Sequence, residues 1–265
     1  MAEADDRPLL AVRGLVKNFG GLRAIDHASL DVKRGTITGL IGPNGAGKTT
    51  LFNLITGFIQ PDAGRVFFRG EDVTHLPPYR IFEKKICRTF QLPREHRSMT
   101  VLENMMLVPH RQQGERFWNN WLRPRAVAAD EARLKARALD ALAFVQLDRL
   151  ANEPAANLSG GQKKLLELGR VLMAEPTLVL LDEPGAGVNP TLMRRLAEDI
   201  DTLRRERGIT FLLIEHDMDL VMSLCDPVVV MSEGKRLMEG APDAVRNDPA
   251  VLEAYLGGQY AALAG

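Results

Sequence analysis

Gly42-Pro43-Asn44-Gly45-Ala46-Gly47-Lys48-Thr49-Thr50 decides how this chain is read. Gly42, Gly47, Lys48 and Thr49 occupy the fixed places of G-x-x-x-x-G-K-[ST]. The apolar run Ile37 to Ile41 precedes the loop and predicts a buried strand. Leu51, Phe52, Leu54 and Ile55 follow at helical spacing, with Gly57 as a stop. That strand–loop–helix context gives the loop its chemistry. Glycines let the backbone curl around phosphates and point N–H groups inward, and the new helix adds its positive end. Lys48 is then placed for the β- and γ-phosphates, and the Thr49 hydroxyl for a Mg²⁺ ion. The loop predicts binding of a nucleoside triphosphate.

The rest of the composition narrows the class. A length of 265 residues suits one large domain or two small ones, and 45% hydrophobic residues suffice for a core. Lys+Arg and Asp+Glu both number 34, so no overall charge attracts nucleic acid, and none is expected as a partner. The two cysteines, Cys87 and Cys225, lie far apart, which suits a reducing cytoplasm better than a disulfide framework. Met1 to Pro8 is acidic and polar, unlike a signal peptide. Runs such as Leu178–Leu181, Phe211–Ile214 and Val228–Met231 are too short to span a bilayer.

Away from the loop, residues 9–13 and 22–32 alternate like strands around a turn at Asn18–Gly21, which holds Phe19. Phe19 has two readings, a hydrophobic plug under the turn or a ring that stacks on a flat base. Gln60-Pro61-Asp62-Ala63-Gly64 predicts a turn, Arg65–Arg69 a short strand, and Ile86–Phe90 another, followed directly by Gln91. From Thr100, which has Glu103 at capping-box spacing, the chain becomes helical as far as residue 170. Phe117, Trp118, Trp121 and Leu122 share one helical face, which either packs on neighbouring helices or docks a partner. Leu158-Ser159-Gly160-Gly161-Gln162 opens a helix to about Met173, with Ser159 as N-cap. Locally it is a second anion-binding helix start, or a plain capped one. The continuous run Leu178–Leu181 predicts a central parallel strand ending in Asp182-Glu183-Pro184. Adjacent carboxylates there are costly without a cation or hydrogen bonds. Asp182 suits Mg²⁺, through water, and Glu183 suits polarising an attacking water. Thr210–Ile214 predicts the next buried strand, and His216 after it is either structural or a γ-phosphate contact.

In this order the pieces resemble the ATP-binding subunit of an ABC transporter, over about residues 9–257. The resemblance rests on the Walker A loop at 42–49, the Q-loop Gln91, the signature Leu158–Gln162, the Walker B run 178–182 with Glu183, and the switch His216. It implies an α/β fold with a P-loop, RecA-like, mainly parallel sheet core, an N-terminal antiparallel β subdomain and an inserted helical subdomain. As one nucleotide-binding domain over 1–265, it would place the ATP-binding core with the β subdomain at about 9–90 and 171–240. The helical and signature subdomain would lie at about 91–170 and a C-terminal helical tail at 241–265.

The resemblance further implies ATP and Mg²⁺ as cofactors. Lys48, Gln91, Glu183 and His216 would be catalytic, and Thr49, Gln91 and Asp182 would serve the metal. Phe19 would stack on adenine beside the loop Gly42, Pro43, Asn44, Gly45, Ala46, Gly47, Lys48, Thr49 and Thr50. In the family two subunits pair head-to-tail, so Ser159, Gly160, Gly161 and Gln162 would meet the partner's γ-phosphate. The stretches Glu183–Pro190, Leu213–Val221 and Pro242–Gly257 are similar to LivG-like ATPases of branched-chain amino acid importers. The segment 110–125 fits that member better than its shorter LivF-like partner. Asn189 stands near the place where the family's D-loop often has Asp, the LivG-like group shares that Asn, and the signature is intact. The implied partners are transmembrane permeases, a second ATPase (a second copy or a LivF-like chain) and, indirectly, a periplasmic binding protein. The implied location is peripheral, on the cytoplasmic face of the inner membrane. Similar tails occur in ATPases of urea or amide importers and of lipopolysaccharide exporters, and an ABC scaffold outside transport shares the motifs.

Overall fold

The computed structural model describes residues 7–89, 95–109, 118, 121 and 123–255. These fold into two compact units. One comprises residues up to 88 with 177–185 and 197 onward; the other comprises 89–176 with 186–196.

In chain order the elements are β1 (Leu10–Phe19), β2 (Leu22–Val32), β3 (Ile37–Ile41), α1 (Lys48–Ile55), β4 (Ala63–Phe68), β5 (Glu71–Asp72), α2 (Pro78–Glu83) and β6 (Ile86–Arg88). There follow α3 (Val101–Met106), α4 (Pro124–Phe144), α5 (Gly160–Met173), β7 (Leu178–Asp182), α6 (Pro190–Arg207) and β8 (Thr210–Ile214). The chain ends with α7 (Met218–Leu224), β9 (Val228–Ser232), β10 (Lys235–Gly240) and α8 (Pro242–Arg246), then a further helical stretch, α9, over 249–255.

The first unit holds two sheets. In the larger, the order β10-β9-β3-β8-β7-β6 places β3, β8 and β7 in the interior. Pairing is parallel from β9 across to β6 and antiparallel only at β10. All residues of β3, β7 and β8 are buried, which explains why these strands read as unbroken apolar runs: both faces are covered. The smaller sheet, β2-β1-β4-β5, is antiparallel. Its inward residues, such as Leu10, Val12, Ile25 and Val66, join Phe52 and Leu54 of α1 in one core.

Two local expectations need correction. β1 extends to Phe19 and pairs Asn18 with Arg23 and Phe19 with Leu22, so Phe19 ends a strand and the turn is only Gly20-Gly21. β1 reaches that far through irregular registers between Val12 and Asn18, which break the alternation that would have revealed it. β4 begins at Ala63 rather than Arg65.

The second unit is helical. Thr100 and Glu103 form the capping box their spacing predicts. α4 buries Val127, Leu134, Ala138, Ala141 and Leu142, a stripe at spacings of three, four and seven. Phe117 and Leu122 lie outside the described residues. Trp118 and Trp121 are 67% and 82% exposed.

Candidate nucleotide site

Three neighbouring strand ends deliver the predicted residues of the first unit to one place. β3 runs into the loop that precedes α1, β7 ends at Asp182 before Glu183, and β8 ends at Ile214 before Glu215 and His216. The loop curls through positive φ at Gly45 (80°) and Gly47 (97°). A β-carbon at Gly47 would come within 2.7 Å of the Ala24 carbonyl, so a side chain is excluded on space as well as on conformation. Gly47 is also the N-cap of α1 and supplies no side-chain hydrogen bond. The first N–H groups of this helix are therefore available to an anion.

The loop lines a cleft of about 580 Å³ through Asn44 to Thr50. Phe19, Leu22 and Arg23 of the β1–β2 hairpin also line it, as do Glu183 and His216. Gly42 and Pro43 lie behind, where their carbonyls accept hydrogen bonds from Lys48 Nζ at 2.7 and 3.0 Å. Lys48 is buried; burial pushes its pKa down, and the Glu183 and Asp182 carboxylates oppose that shift. The ammonium is held by neutral carbonyls, partners that a polyphosphate outcompetes.

His216 Nε2 lies 2.8 Å from Glu183 Oε1. Glu183 has φ 48°, a left-handed conformation uncommon for a non-glycine residue. Its N–H donates to Ile214 O at 2.9 Å, so the end of β8 holds it there.

Three residues that the motifs did not single out complete the arrangement. Buried Glu215 accepts from Gly185 N at 2.7 Å and from His216 N at 3.1 Å. One carboxylate thus links the turn after Glu183 to the backbone of His216. Arg88 donates to Asp182 Oδ2 at 2.7 Å and to Asn53 Oδ1 at 2.5 Å, and its guanidinium lies over the Phe52 ring at 5.5 Å. It compensates a carboxylate only 2% exposed. Tyr255 of α9 lies beside the backbone of Gly42 with its buried hydroxyl outside hydrogen-bonding geometry, and burial pushes that phenol's pKa up. A charged residue inside a predicted buried strand was the available signal for Arg88. Glu215, between an apolar strand and His216, offered the same kind of signal. Tyr255 offered none.

Gln91 lies outside the described residues. Ser159, Gly160, Gly161 and Gln162 belong to the second unit. There Ser159 caps α5: its hydroxyl accepts from Gln162 N at 3.3 Å, and Gln162 Oε1 accepts from Ser159 N at 2.8 Å. A β-carbon on Gly161 would meet Leu192 at 2.2 Å, whereas one on Gly160 would meet open space. Asn189 Oδ1 accepts from Leu192 N at 2.9 Å, so this side chain caps the first turn of α6.

Comparison with known proteins settles the family. The model for the ABC transporter family matches residues 25–186. The chain belongs to the ABC transporter family. The family's ATPases bind and hydrolyse ATP, and this chain is one of them. A second model, for the branched-chain amino acid ATP-binding cassette transporter, matches residues 235–261. The chain is 41% identical over 255 residues to a probable branched-chain amino acid transport ATP-binding protein, LivG, of Archaeoglobus fulgidus, covering 95% of this chain and 96% of that one. It is 42% identical over 251 residues to the high-affinity branched-chain amino acid transport ATP-binding protein BraF of Pseudomonas aeruginosa, covering 95% and 98%. In structure it is similar to the ADP conformation of an ATP-binding cassette of an ABC transporter, with a TM-score of 0.80, 38% identity, and 94% and 98% covered. No described helix is long and apolar enough to cross a membrane.

Proposed function

We propose that this chain is the ATPase of an importer for branched-chain amino acids, and that two ATPase subunits, head-to-tail, complete its sites. One observation carries the chemical part: a single cleft holds the Lys48 loop and the hydrogen-bonded pair Glu183–His216. The solute class rests on the similarity to LivG and BraF and on the family match at 235–261.

In this reading Phe19 stacks on adenine, and the N–H groups from Gly45 to Thr50 cradle the phosphates. Lys48 exchanges its two carbonyl partners for the β- and γ-phosphate oxygens. A water oxygen attacks the γ-phosphorus, Glu183 takes its proton, and the bond to the bridging oxygen breaks to leave ADP and phosphate. His216 holds Glu183 through Oε1 and faces the phosphoryl group in transfer. This is catalysis by position and charge.

The donor set fits Mg²⁺. No group of three or more His, Cys, Asp or Glu suited to a metal occurs among the described residues. A hydroxyl, one buried carboxylate and the nucleotide's own oxygens form a normal Mg²⁺ environment. Thr49 and Asp182 would hold the ion, joined by Gln91, and when bound it neutralises phosphate charge.

Ser159, Gly160, Gly161 and Gln162 would be supplied to the site of a second ATPase, either another copy or a related chain. Exposed Trp118 and Trp121 offer a docking face for transmembrane permeases on the cytoplasmic side. A periplasmic binding protein would deliver the solute.

Purification in detergent tests the assignment. A complex with permeases whose ATP-dependent uptake is competed by leucine supports it. A stable soluble complex with non-membrane partners removes the transport reading.

A further inference from the structure

The hairpin that presents Phe19 is tied to the loop following α1 by a single carboxylate. Asp62 Oδ1 accepts from Lys17 Nζ at 2.9 Å, and Asp62 Oδ2 accepts from Asn18 N at 2.7 Å and Asn18 Nδ2 at 3.0 Å. The Asp62 N–H donates to Val16 O at 2.8 Å. Three consecutive residues before Phe19 are thus held by one residue distant in sequence. The ties continue to the ring: the Lys17 ammonium, fixed by Asp62, lies 5.7 Å from the Phe19 centroid. Across the hairpin, Asn18 Oδ1 accepts from Arg23 Nε at 3.2 Å, and Arg23 lines the cleft beside Phe19.

We propose that Asp62 is a positioning residue for the nucleobase, holding Lys17 and Asn18 so that the Phe19 ring is fixed before the nucleotide arrives. The inference rests on the reading of Phe19 as the adenine platform. β1 is irregular between Lys17 and Asn18 before it pairs again at Asn18–Arg23 and Phe19–Leu22, and Asp62 bridges that irregularity. Phe19 is 48% exposed, so little packing restrains the ring. A platform ordered in advance spends less binding energy on ordering. The same contacts hold the Asp62 carboxyl at about 2, below its ordinary 3.8, and it stays ionised throughout the neutral range.

The test is calorimetric titration of the full chain with ATP and with inorganic tripolyphosphate, which has no base. Asp62→Ala should weaken ATP roughly tenfold, the scale of a base–aromatic contact, and leave tripolyphosphate unchanged. In turnover, KM for ATP should rise with kcat kept. Phe19→Ala should weaken ATP binding to the same degree and leave tripolyphosphate unchanged, and the double variant should bind ATP no more weakly than Phe19→Ala alone, because both remove one contact. Asp62→Asn, which keeps shape and one acceptor oxygen, should lose roughly threefold, and it provides the reading if the alanine variant does not fold. If Phe19→Ala leaves ATP affinity intact, the adenine platform itself fails and the inference with it. If Phe19→Ala weakens ATP but Asp62→Ala does not, or if the two effects add, or tripolyphosphate weakens equally, only the positioning role is overturned.

Discussion

Two helices of this molecule begin with a glycine-rich anion signature, and they begin differently. α1 starts at Gly47, which offers no side chain to its own first turn. α5 starts at Ser159, whose hydroxyl and N–H are both joined to Gln162 in a closed capping box. The first leaves its donors to a ligand and has Lys48 beside them. The second ties up Gln162 N and Ser159 N internally and carries no lysine within Leu158–Gln162. On the proposed reading, the same helix-terminus physics would yield a primary phosphate site where the cap is missing, and an accessory contact where the cap is present. On this account Gly42–Thr50 binds nucleotide in one chain, whereas Ser159–Gln162 acts on a nucleotide already bound by another.

The largest effect should separate the two starts most clearly. Lys48→Ala should weaken ATP binding by the isolated chain roughly a hundredfold, hydrogen bonds to charged groups being about 1.5–3 kcal/mol each. Ser159→Ala should leave that affinity unchanged in calorimetry. Equal losses would erase the distinction between primary and accessory sites. Next, Glu183→Gln should bind ATP as the parent does and turn over roughly a hundredfold or more slowly, the scale of general-base catalysis. Near-normal phosphate release would remove Glu183 from that role.

Glu215→Gln comes third. The amide keeps one acceptor oxygen for the Gly185 and His216 N–H groups and sets an NH₂ among donors. Turnover should fall roughly tenfold, about 1–3 kcal/mol of unsatisfied buried polar group being the driving term, with ATP affinity kept. The smallest effect belongs to the cap. Ser159→Ala should lower stability by about 0.5–2 kcal/mol, and Ser159→Gly by only a few tenths, read from urea unfolding. A larger loss for glycine than for alanine would mean the serine is not acting as a cap.

The comparison also shows what a sequence can and cannot disclose. Both helix starts were legible because glycine, lysine and serine act through local geometry, at fixed offsets from a strand or helix. β3, β7 and β8 were legible because strands covered on both faces read as apolar runs. The reach of β1 to Phe19 was not, since its irregular registers interrupt alternation. Arg88, Glu215 and Asp62 were missed as site residues for a different reason. Each works through a partner far along the chain: Asp182 for Arg88, Gly185 for Glu215, Lys17 and Asn18 for Asp62. No local period records such a pairing; only the folded sheet brings the partners together.

If the proposed function holds, Gly42–Thr50 and Ser159–Gln162 complete one site only when two subunits meet. Sedimentation velocity on Glu183→Gln tests it most directly. ATP is expected to shift that variant from one chain to two, and adding Ser159→Arg, which sets a long cation in the second helix start, should hold it at one chain with ATP still bound. A pair that forms equally well with Ser159→Arg, or no pair with ATP in either variant, would contradict the account.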